Sequence, residues 1–201
     1  MKHIVLVERQ CKDRIHEMTM SLFDIEPEKY WETYLDEELK ELPLPQFAVK
    51  ADAFNKVMSI IHNDNNPEDY LVSGEGLYNL SHRQAMIYTS DVVCKPTFGM
   101  DYFGQFRVNC MSDDEIAIDD SAGFEGELYP AIEKLGQENI LLIRAHGNKG
   151  ISGGADSREL IRDGVIHNTI DLHNDGTVDE WTAKVLQEVE SFLAPSLKPS
   201  M

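Results

Sequence analysis

The sequence predicts an α/β protein of three layers, with helices on both faces of a mostly parallel sheet. Strand-like runs alternate along the chain with helical patterns, and this order of elements builds parallel sheets. The two clearest runs, HIVLV at 3–7 and NILLIR at 139–144, are apolar almost throughout, as strands buried on both faces are. A length of 201 residues suits one hydrophobic core, so we expect residues 1–201 to form a single domain.

The first part of the chain predicts a strand, a helix and an acidic insertion. The strand at 3–7 is followed by apolar residues at helical spacing over 12–23. The segment 24–47 is acidic and aromatic and ends in two prolines, which predicts helices closed by a rigid turn. A further helix over 54–61 ends at a cluster of turn-forming residues. We therefore expect 24–80 to be an acidic helical insertion.

The middle of the chain predicts a capped helix and a strand, helix and strand. Ser81 is placed to cap a helix over 82–93. The run EIAIDD at 115–120 predicts a strand with acidic residues at its carboxyl end, and GELYPAIEKLG predicts a helix that ends at Gly136. The strand at 139–144 follows. Ligands of parallel α/β sheets bind at the carboxyl ends of the strands, which directs attention to the residues just after each one.

The C-terminal part predicts a loop, a strand and a long helix. The polar, glycine-rich segment 145–162 is expected to be a lid-like loop, and 165–176 a strand followed by an Asn-Asp-Gly turn. Thr177 and Glu180 have the spacing of a capping box. The final helix is expected over 178–193, with its apolar residues on one stripe.

The composition excludes several classes of protein. A formal net charge of −18 and a pI near 4.6 oppose attraction to phosphate backbones, so we expect no nucleic-acid partner. No apolar run reaches the roughly 20 residues of a membrane helix and no signal peptide is evident, so we expect no membrane partner and a cytoplasmic location. The three cysteines are scattered without CxxC spacing, which argues against disulfides and a zinc site, and we assign no metal ligands.

Four segments resemble, in order, parts of the deoxynucleoside monophosphate kinases of tailed phages. FDIEPEKYWETYLDEELKELPLP is similar to the acidic insertion of that family, which ends in K-E-x-P. LSHRQAMIYTSDVVCKPTFGMDYFGQFRV is similar to its S/T-x-R-x-L-[LM]-Q-x-x-G-T segment and the aromatic pair that follows. DDSAGFEGELYPAIEKLGQENILLIR resembles its D-x-R-x-x-x-E element with the next helix and strand, and IRDGVIHNTIDLHNDGTVDEWTAKVLQEV resembles its closing strand, turn and helix.

The resemblance implies a P-loop nucleoside-monophosphate-kinase-like fold, with ATP and Mg²⁺ as cofactors if the protein is active. The implied acceptor is a deoxynucleoside monophosphate, so the expected partner is a nucleotide or another small phosphorylated ligand. By the same analogy, a homodimer and the cytoplasm of a phage-infected bacterial host are expected. Phosphoryl transfer depends mainly on positioning phosphates and neutralising charge, so each working part can be sought in the sequence.

The phosphate-binding loop departs most from the family pattern. A Walker A loop, G-x-x-x-x-G-K-[ST], needs glycines so that backbone amides can surround the phosphates, and a hydroxyl that holds magnesium. Here the turn reads ERQCKDR: Lys12 and Asp13 match, but Cys11 stands at the second glycine and Arg14 at the threonine. The first glycine has no counterpart. We interpret the turn as a dismantled phosphate loop, the alternative being a helix N-terminus that never bound phosphate.

The residues that bind the acceptor nucleotide in the family are only partly present in this sequence. Asp119 and Glu125 match the D-x-R-x-x-x-E element, but Ser121 replaces its arginine and so removes a bidentate phosphate contact. Arg83 keeps its place in the S/T-x-R segment, although an arginine on a helix is usually a surface ion-pair residue. With Lys95, these residues form the predicted acceptor-binding set: Arg83, Asp119, Glu125 and Lys95.

Basic residues concentrate around the lid-like loop. In a strongly acidic chain, five basic-capable residues within 144–162 favour an anion site. The alternative is a solvated loop whose charges balance its acidic neighbours. The resemblance makes Lys12, Arg144 and Arg158 candidate catalytic residues and His146, Lys149 and Arg162 lid residues.

Three functions remain open from the sequence. The first is a degenerate deoxynucleoside monophosphate kinase-like protein that still binds a nucleotide or phosphorylated ligand, with catalysis weak or lost. The second is an active kinase that transfers the ATP γ-phosphate by a nonstandard loop. The third is an acidic protein-interaction module on the same fold, without a nucleotide.

Overall fold

The computed structural model describes seven ranges of the chain: residues 5–8, 11–61, 67–72, 75–112, 115–119, 125–147 and 161–194. These ranges contain both helices and strands in alternation, so the protein is of the α/β class, as predicted. The helices are α1 (Cys11–Leu22), α2 (Pro27–Tyr34), α3 (Ala51–Ile61), α4 (His82–Ile87), α5 (Lys95–Phe98), α6 (Tyr102–Asn109), α7 (Glu125–Leu135) and α8 (Val178–Leu193).

The strands within the described ranges form three small sheets. Two are parallel pairs: β1 (Val5–Glu8) with β5 (Glu115–Ile118), and β6 (Leu141–Gly147) with β7 (Asn168–Asn174). The third sheet is antiparallel, with the order β2 (Leu44–Lys50), β4 (Leu77–Leu80) and β3 (Leu71–Val72). The parallel pairs agree with the sequence prediction, whereas a single continuous sheet is not formed among the described strands.

The antiparallel sheet lies in the segment 24–80, where the sequence predicted only helices. β2 alternates in burial, with Phe47 and Val49 pointing into the core, and this is the pattern of a half-buried strand. Pro45 had suggested a rigid turn, but β2 is an edge strand, and proline is tolerated at sheet edges. The predicted turn therefore does not extend to Pro45, which lies within β2, whereas Pro43 precedes the strand.

The largest core cluster packs this antiparallel sheet against helices α2, α3 and α4. Its fully buried members are mostly aromatic and β-branched, with Phe54 stacked on Tyr78 at a ring-centre distance of 4.5 Å. Burying side chains of this size contributes roughly 1.5–3 kcal/mol each, so the insertion has its own substantial source of stability. The buried members are Ile25, Tyr30, Phe47, Val49, Phe54, Val57, Tyr70, Leu80 and Ala85.

Two helix starts are fixed by capping boxes, as the sequence predicted. The Ser81 hydroxyl accepts from the Gln84 backbone N–H while the Gln84 side chain accepts from the Ser81 N–H. Thr177 and Glu180 form the same reciprocal pair at α8. Beyond α4 the chain continues as a π-helix over Tyr88–Cys94, which is a longer irregularity than the sequence indicated.

Helices α6 and α7 approach closely at Gly104. A methyl group on residue 104 would lie 2.9 Å from the Cα of Glu127 and closer still to its carbonyl oxygen. Neither backbone atom can move aside without separating the helices. In contrast, a methyl group on Gly126 would find its nearest neighbour at 3.6 Å, which is ordinary contact.

We expect Gly104→Ala to lower the free energy of unfolding by about 2 kcal/mol, the typical effect of overpacking a tight interface. Gly126→Ala, the matched control, should leave stability unchanged or raise it, because alanine favours helix more than glycine does. Urea denaturation of both variants measures the difference. Equal stabilities would show that the two helices do not meet at Gly104.

Candidate functional site

The junction of β1 and α1 is the place where a phosphate loop would lie. β1 ends at Glu8 and α1 begins at Cys11, so residues 9 and 10 alone connect them. β5 runs parallel to β1 and ends beside it, at Ile118. A Walker A cradle of backbone amides also needs glycines, which the sequence ERQCKDR lacks. Lys12 stands in the first turn of α1, at the predicted position.

Lys12 faces an aromatic surface supplied by the insertion. Its Nζ lies 5.5 Å from the ring centre of Tyr34 on α2, a distance suited to a cation–π contact. The positive charge of Lys12 also acts on His16, one turn further along α1. α1 and α2 thus hold the ammonium group of Lys12 between them at the edge of the core.

A cluster of rings lies beside Lys12, which we call the histidine–aromatic cluster. Nδ1 of His16 lies 2.7 Å from the Tyr30 hydroxyl, and Nε2 of His82 lies 2.6 Å from Oγ1 of Thr33. Neighbouring rings in the cluster have centres 4.6–6.0 Å apart. These contacts tie α1, α2 and α4 together. The cluster consists of His16, Tyr30, Trp31, Tyr34 and His82.

Both histidines of the cluster are buried, and burial changes their acid–base behaviour. Removal from water lowers the pKa of His16 to about 4, with the charge of Lys12 adding to the effect, and burial lowers the pKa of His82 to about 4 as well. Both are therefore neutral at pH 7. Nδ1 of His82 has no hydrogen-bond partner among the residues that the structure describes. Neither histidine was predicted from the sequence.

The predicted acceptor residue Arg83 lies at this cluster. It follows His82 in the first turn of α4, and its side chain is exposed. The His82 ring lies 5.6 Å from the Tyr34 ring, which in turn contacts Lys12. Lys12 contacts Tyr34 of this ring pair, and Arg83 is the residue that follows His82 in α4.

Asp119, a predicted acceptor-binding residue, has a charged partner within the chain. Its carboxylate is paired with the guanidinium of Arg107 on α6, and the side chains are 11% and 6% exposed. Arg107 also donates from Nη2 to the carbonyl oxygen of Glu127, at 3.1 Å. Asp119 thus joins the end of β5 to helices α6 and α7. The sequence analysis missed Arg107, because nothing in its local pattern indicates burial.

Lys95 and Glu125 also bind partners within the chain. Lys95 is buried, and its Nζ lies 2.9 Å from Oδ1 of Asp91 in the π-helix. Glu125, the first residue of α7, accepts two hydrogen bonds from the guanidinium of Arg162, at 2.6 and 2.5 Å. Hydrogen bonds from the Arg162 side chain and backbone lower the pKa of Glu125 to about 2. Glu125 and Arg162 are thus bound to each other.

The remaining lid-side residues gather on the parallel pair β6–β7. Arg144 donates to Asp163 at 2.6 Å and to Asp171 at 2.8 Å. Nε2 of His146 lies 2.5 Å from the other oxygen of Asp171. The hydrogen bond from His146 and then those from Arg144 lower the pKa of the Asp171 carboxyl. The sequence analysis did not identify either aspartate as a partner.

The predicted site residues that the structure describes are therefore spread over several places. Lys12 contacts the histidine–aromatic cluster and Arg83 follows its His82, while Arg144 and His146 lie on β6 and Arg162 pairs with Glu125 of α7. This pairing agrees with the alternative interpretation of the lid segment, in which basic residues balance acidic neighbours. Arg158 and Lys149, the other predicted catalytic and lid residues, lie outside the described residues.

The described ranges contain neither a cluster of three or more metal-binding side chains nor a membrane-spanning helix. No group of three or more His, Cys, Asp or Glu side chains in those ranges is arranged to hold a metal ion. No helix there combines the length and the apolar character needed to cross a bilayer. No protein-family model, curated protein sequence or solved structure matches this chain.

Proposed function

We propose that this protein is a degenerate deoxynucleoside monophosphate kinase-like protein on a P-loop-kinase-like fold. It binds a nucleotide or a similar phosphorylated ligand and transfers phosphate weakly or not at all. The observation that carries the proposal is the position of Lys12. Its ammonium group stands at the start of α1, after a parallel strand, and beside aromatic rings.

The surroundings of Lys12 suit a nucleotide in two respects. An ammonium group in the first turn of a helix combines its charge with the positive end of the helix dipole, and both favour a phosphate. Tyr34 and Trp31 are half-buried rings beside it, and a base can stack on an aromatic face. Arg83, exposed in the first turn of α4 next to His82, is a second candidate for contact with the ligand.

The charge pairing favours binding over catalysis. Phosphoryl transfer needs cations that can neutralise the transferring group. Arg144, Arg162 and Lys95 instead contact carboxylates of the chain itself. Recruiting them would require these ion pairs to break first. The absence of glycine from ERQCKDR also argues against a complete phosphate cradle.

The residues present do not fit a magnesium site of the P-loop type. The family's metal-holding hydroxyl is replaced by Arg14, whose Nη1 pairs with Glu17 at 2.7 Å. A cation at this position repels Mg²⁺ rather than binding it. The proposed ligand binding therefore does not depend on magnesium, and no catalytic step is derived through the metal.

A thermal-shift panel of ATP, dNMPs and dNDPs, with and without Mg²⁺, tests the proposal. A true ligand at 100 times its Kd raises the free energy of unfolding by about 2.7 kcal/mol. We expect at least one nucleotide to stabilise the protein with or without magnesium. Lys12→Ala should weaken the binding of that nucleotide by about 10-fold or more, because one charge-assisted contact is lost.

Lys56→Ala is the matched control, because Lys56 is an exposed lysine on α3. It should leave nucleotide binding unchanged. Absence of stabilisation by every nucleotide would refute the proposal and favour the acidic interaction module. Lys12-dependent transfer of the ATP γ-phosphate to a dNMP would instead establish an active kinase.

A further inference from the structure

A line of polar side chains occupies one face of the parallel pair β6–β7. In the register of the pair, Arg144 lies opposite Asp171 and His146 lies opposite His173. Residues two apart in a strand point to the same face, so all four share it. The two imidazole rings are near-parallel, at 28°, with their centres 5.1 Å apart. Both histidines are accessible to solvent.

Asp171 determines which ring nitrogen of His146 carries a proton. The Asp171 carboxylate accepts from Arg144 and lies 2.5 Å from Nε2 of His146. An ionised carboxylate has only acceptors, so Nε2 of His146 carries the proton. With this single proton on the ring, Nδ1 has a lone pair. Metal-binding histidines commonly donate their other N–H to a carboxylate in this way.

We propose that His146 and His173 form a two-imidazole site for a borderline divalent metal ion such as Zn²⁺. Zinc binds imidazole nitrogen at about 2.0–2.1 Å with tetrahedral angles, which places the centres of two coordinated rings about 5 Å apart. The centres of these two rings have that separation, and because the rings are stacked, the exposed side chains would turn to direct one nitrogen each at the metal. Solvent exposure leaves room for water at the remaining positions. This site is separate from the proposed nucleotide site at Lys12.

The surrounding charges permit a cation here. Arg144 is paired with Asp163 and Asp171, and Lys184 is paired with Asp175 at 2.6 Å. The nearby basic groups are therefore each matched by at least one carboxylate. The net charge of −18 also concentrates cations around the molecule.

Isothermal titration of the full chain with Zn²⁺ tests the site. We expect one equivalent of zinc to bind, and His146→Ala and His173→Ala each to weaken binding by at least 10-fold. Asp171→Asn should weaken it by about 10–100-fold without removing a ligand, the usual effect of losing a carboxylate behind a metal-bound histidine. Long-range ¹H–¹⁵N spectra should show the zinc-induced shift at Nδ1 of His146.

Two variants serve as controls. His167→Ala removes an exposed histidine near the pair, and Cys110→Ser removes an exposed thiol that could itself bind zinc. Both should bind zinc like the unmodified chain. The proposal is overturned if no stoichiometric binding occurs, if either His→Ala variant keeps full affinity, or if Cys110→Ser abolishes binding. A circular dichroism spectrum of each variant confirms that the fold is kept.

Discussion

Replacing Asp119 with alanine is expected to lower the free energy of unfolding by about 3–5 kcal/mol. The side chain of Arg107 is 6% exposed, and among the described residues it would lose its one carboxylate partner. Its hydrogen bond to the carbonyl oxygen of Glu127 would remain, but a carbonyl group does not neutralise a buried cation. Urea denaturation monitored by circular dichroism measures the effect.

Two further variants isolate the cause. Asp175→Ala breaks an ion pair with Lys184 in which both side chains are largely exposed, so stability should barely change. The double replacement Arg107→Met with Asp119→Leu removes both charges together and should restore most of the lost stability. If Asp119→Ala is no more disruptive than Asp175→Ala, the carboxylate has no structural role and the ligand-binding role predicted from the sequence regains support.

Acidification is expected to destabilise the protein through the two buried histidines. Both have a pKa of about 4 in the folded protein, below the ordinary value of 6.5. Because the unfolded chain binds protons more readily, stability is complete above pH 6.5 and is lost as the pH falls towards 4. Between pH 7 and pH 5 each histidine should account for about 2 kcal/mol of this loss.

The histidine prediction can be checked directly by NMR titration of the imidazole carbons. His16 and His82 should titrate near pH 4, or unfold the protein as they protonate. His16→Asn places an amide where Nδ1 bonds Tyr30, and His82→Gln places one where Nε2 bonds Thr33. Each variant should reduce the pH dependence of stability. Titration of both imidazoles between pH 6 and 7 in the folded protein would contradict their burial.

Several elements of the fold followed from local signals in the sequence. The final helix is observed at Val178–Leu193, where the apolar stripe and the Thr177 capping box predicted it. β1 and α1 follow each other as predicted from an apolar run and helical spacing. β2 was missed, because two prolines suggested a turn, and Pro45 is accepted within the strand only because β2 lies at a sheet edge.

The candidate site was less predictable, because it depends on contacts between distant residues. Glu125 and Arg162 are 37 positions apart, and Arg144 and Asp171 are 27 apart. The composition of segment 144–162 revealed its basic residues but not the carboxylates with which they pair. Lys12 and Arg83 could be predicted from the sequence motifs around them, at 11–16 and 81–83. His16 and His82 could not, because they have the pattern of ordinary helix residues.

Backbone chemical-shift mapping with a deoxynucleotide is the sharpest test of nucleotide binding beside Lys12. The shifts of ¹⁵N-labelled protein should change first at residues 12–16, 31–34 and 81–83, with the β6–β7 pair little affected. An unchanged spectrum at saturating ATP and dNMP concentrations, or changes confined to residues 141–147 and 161–174, would contradict the proposed site.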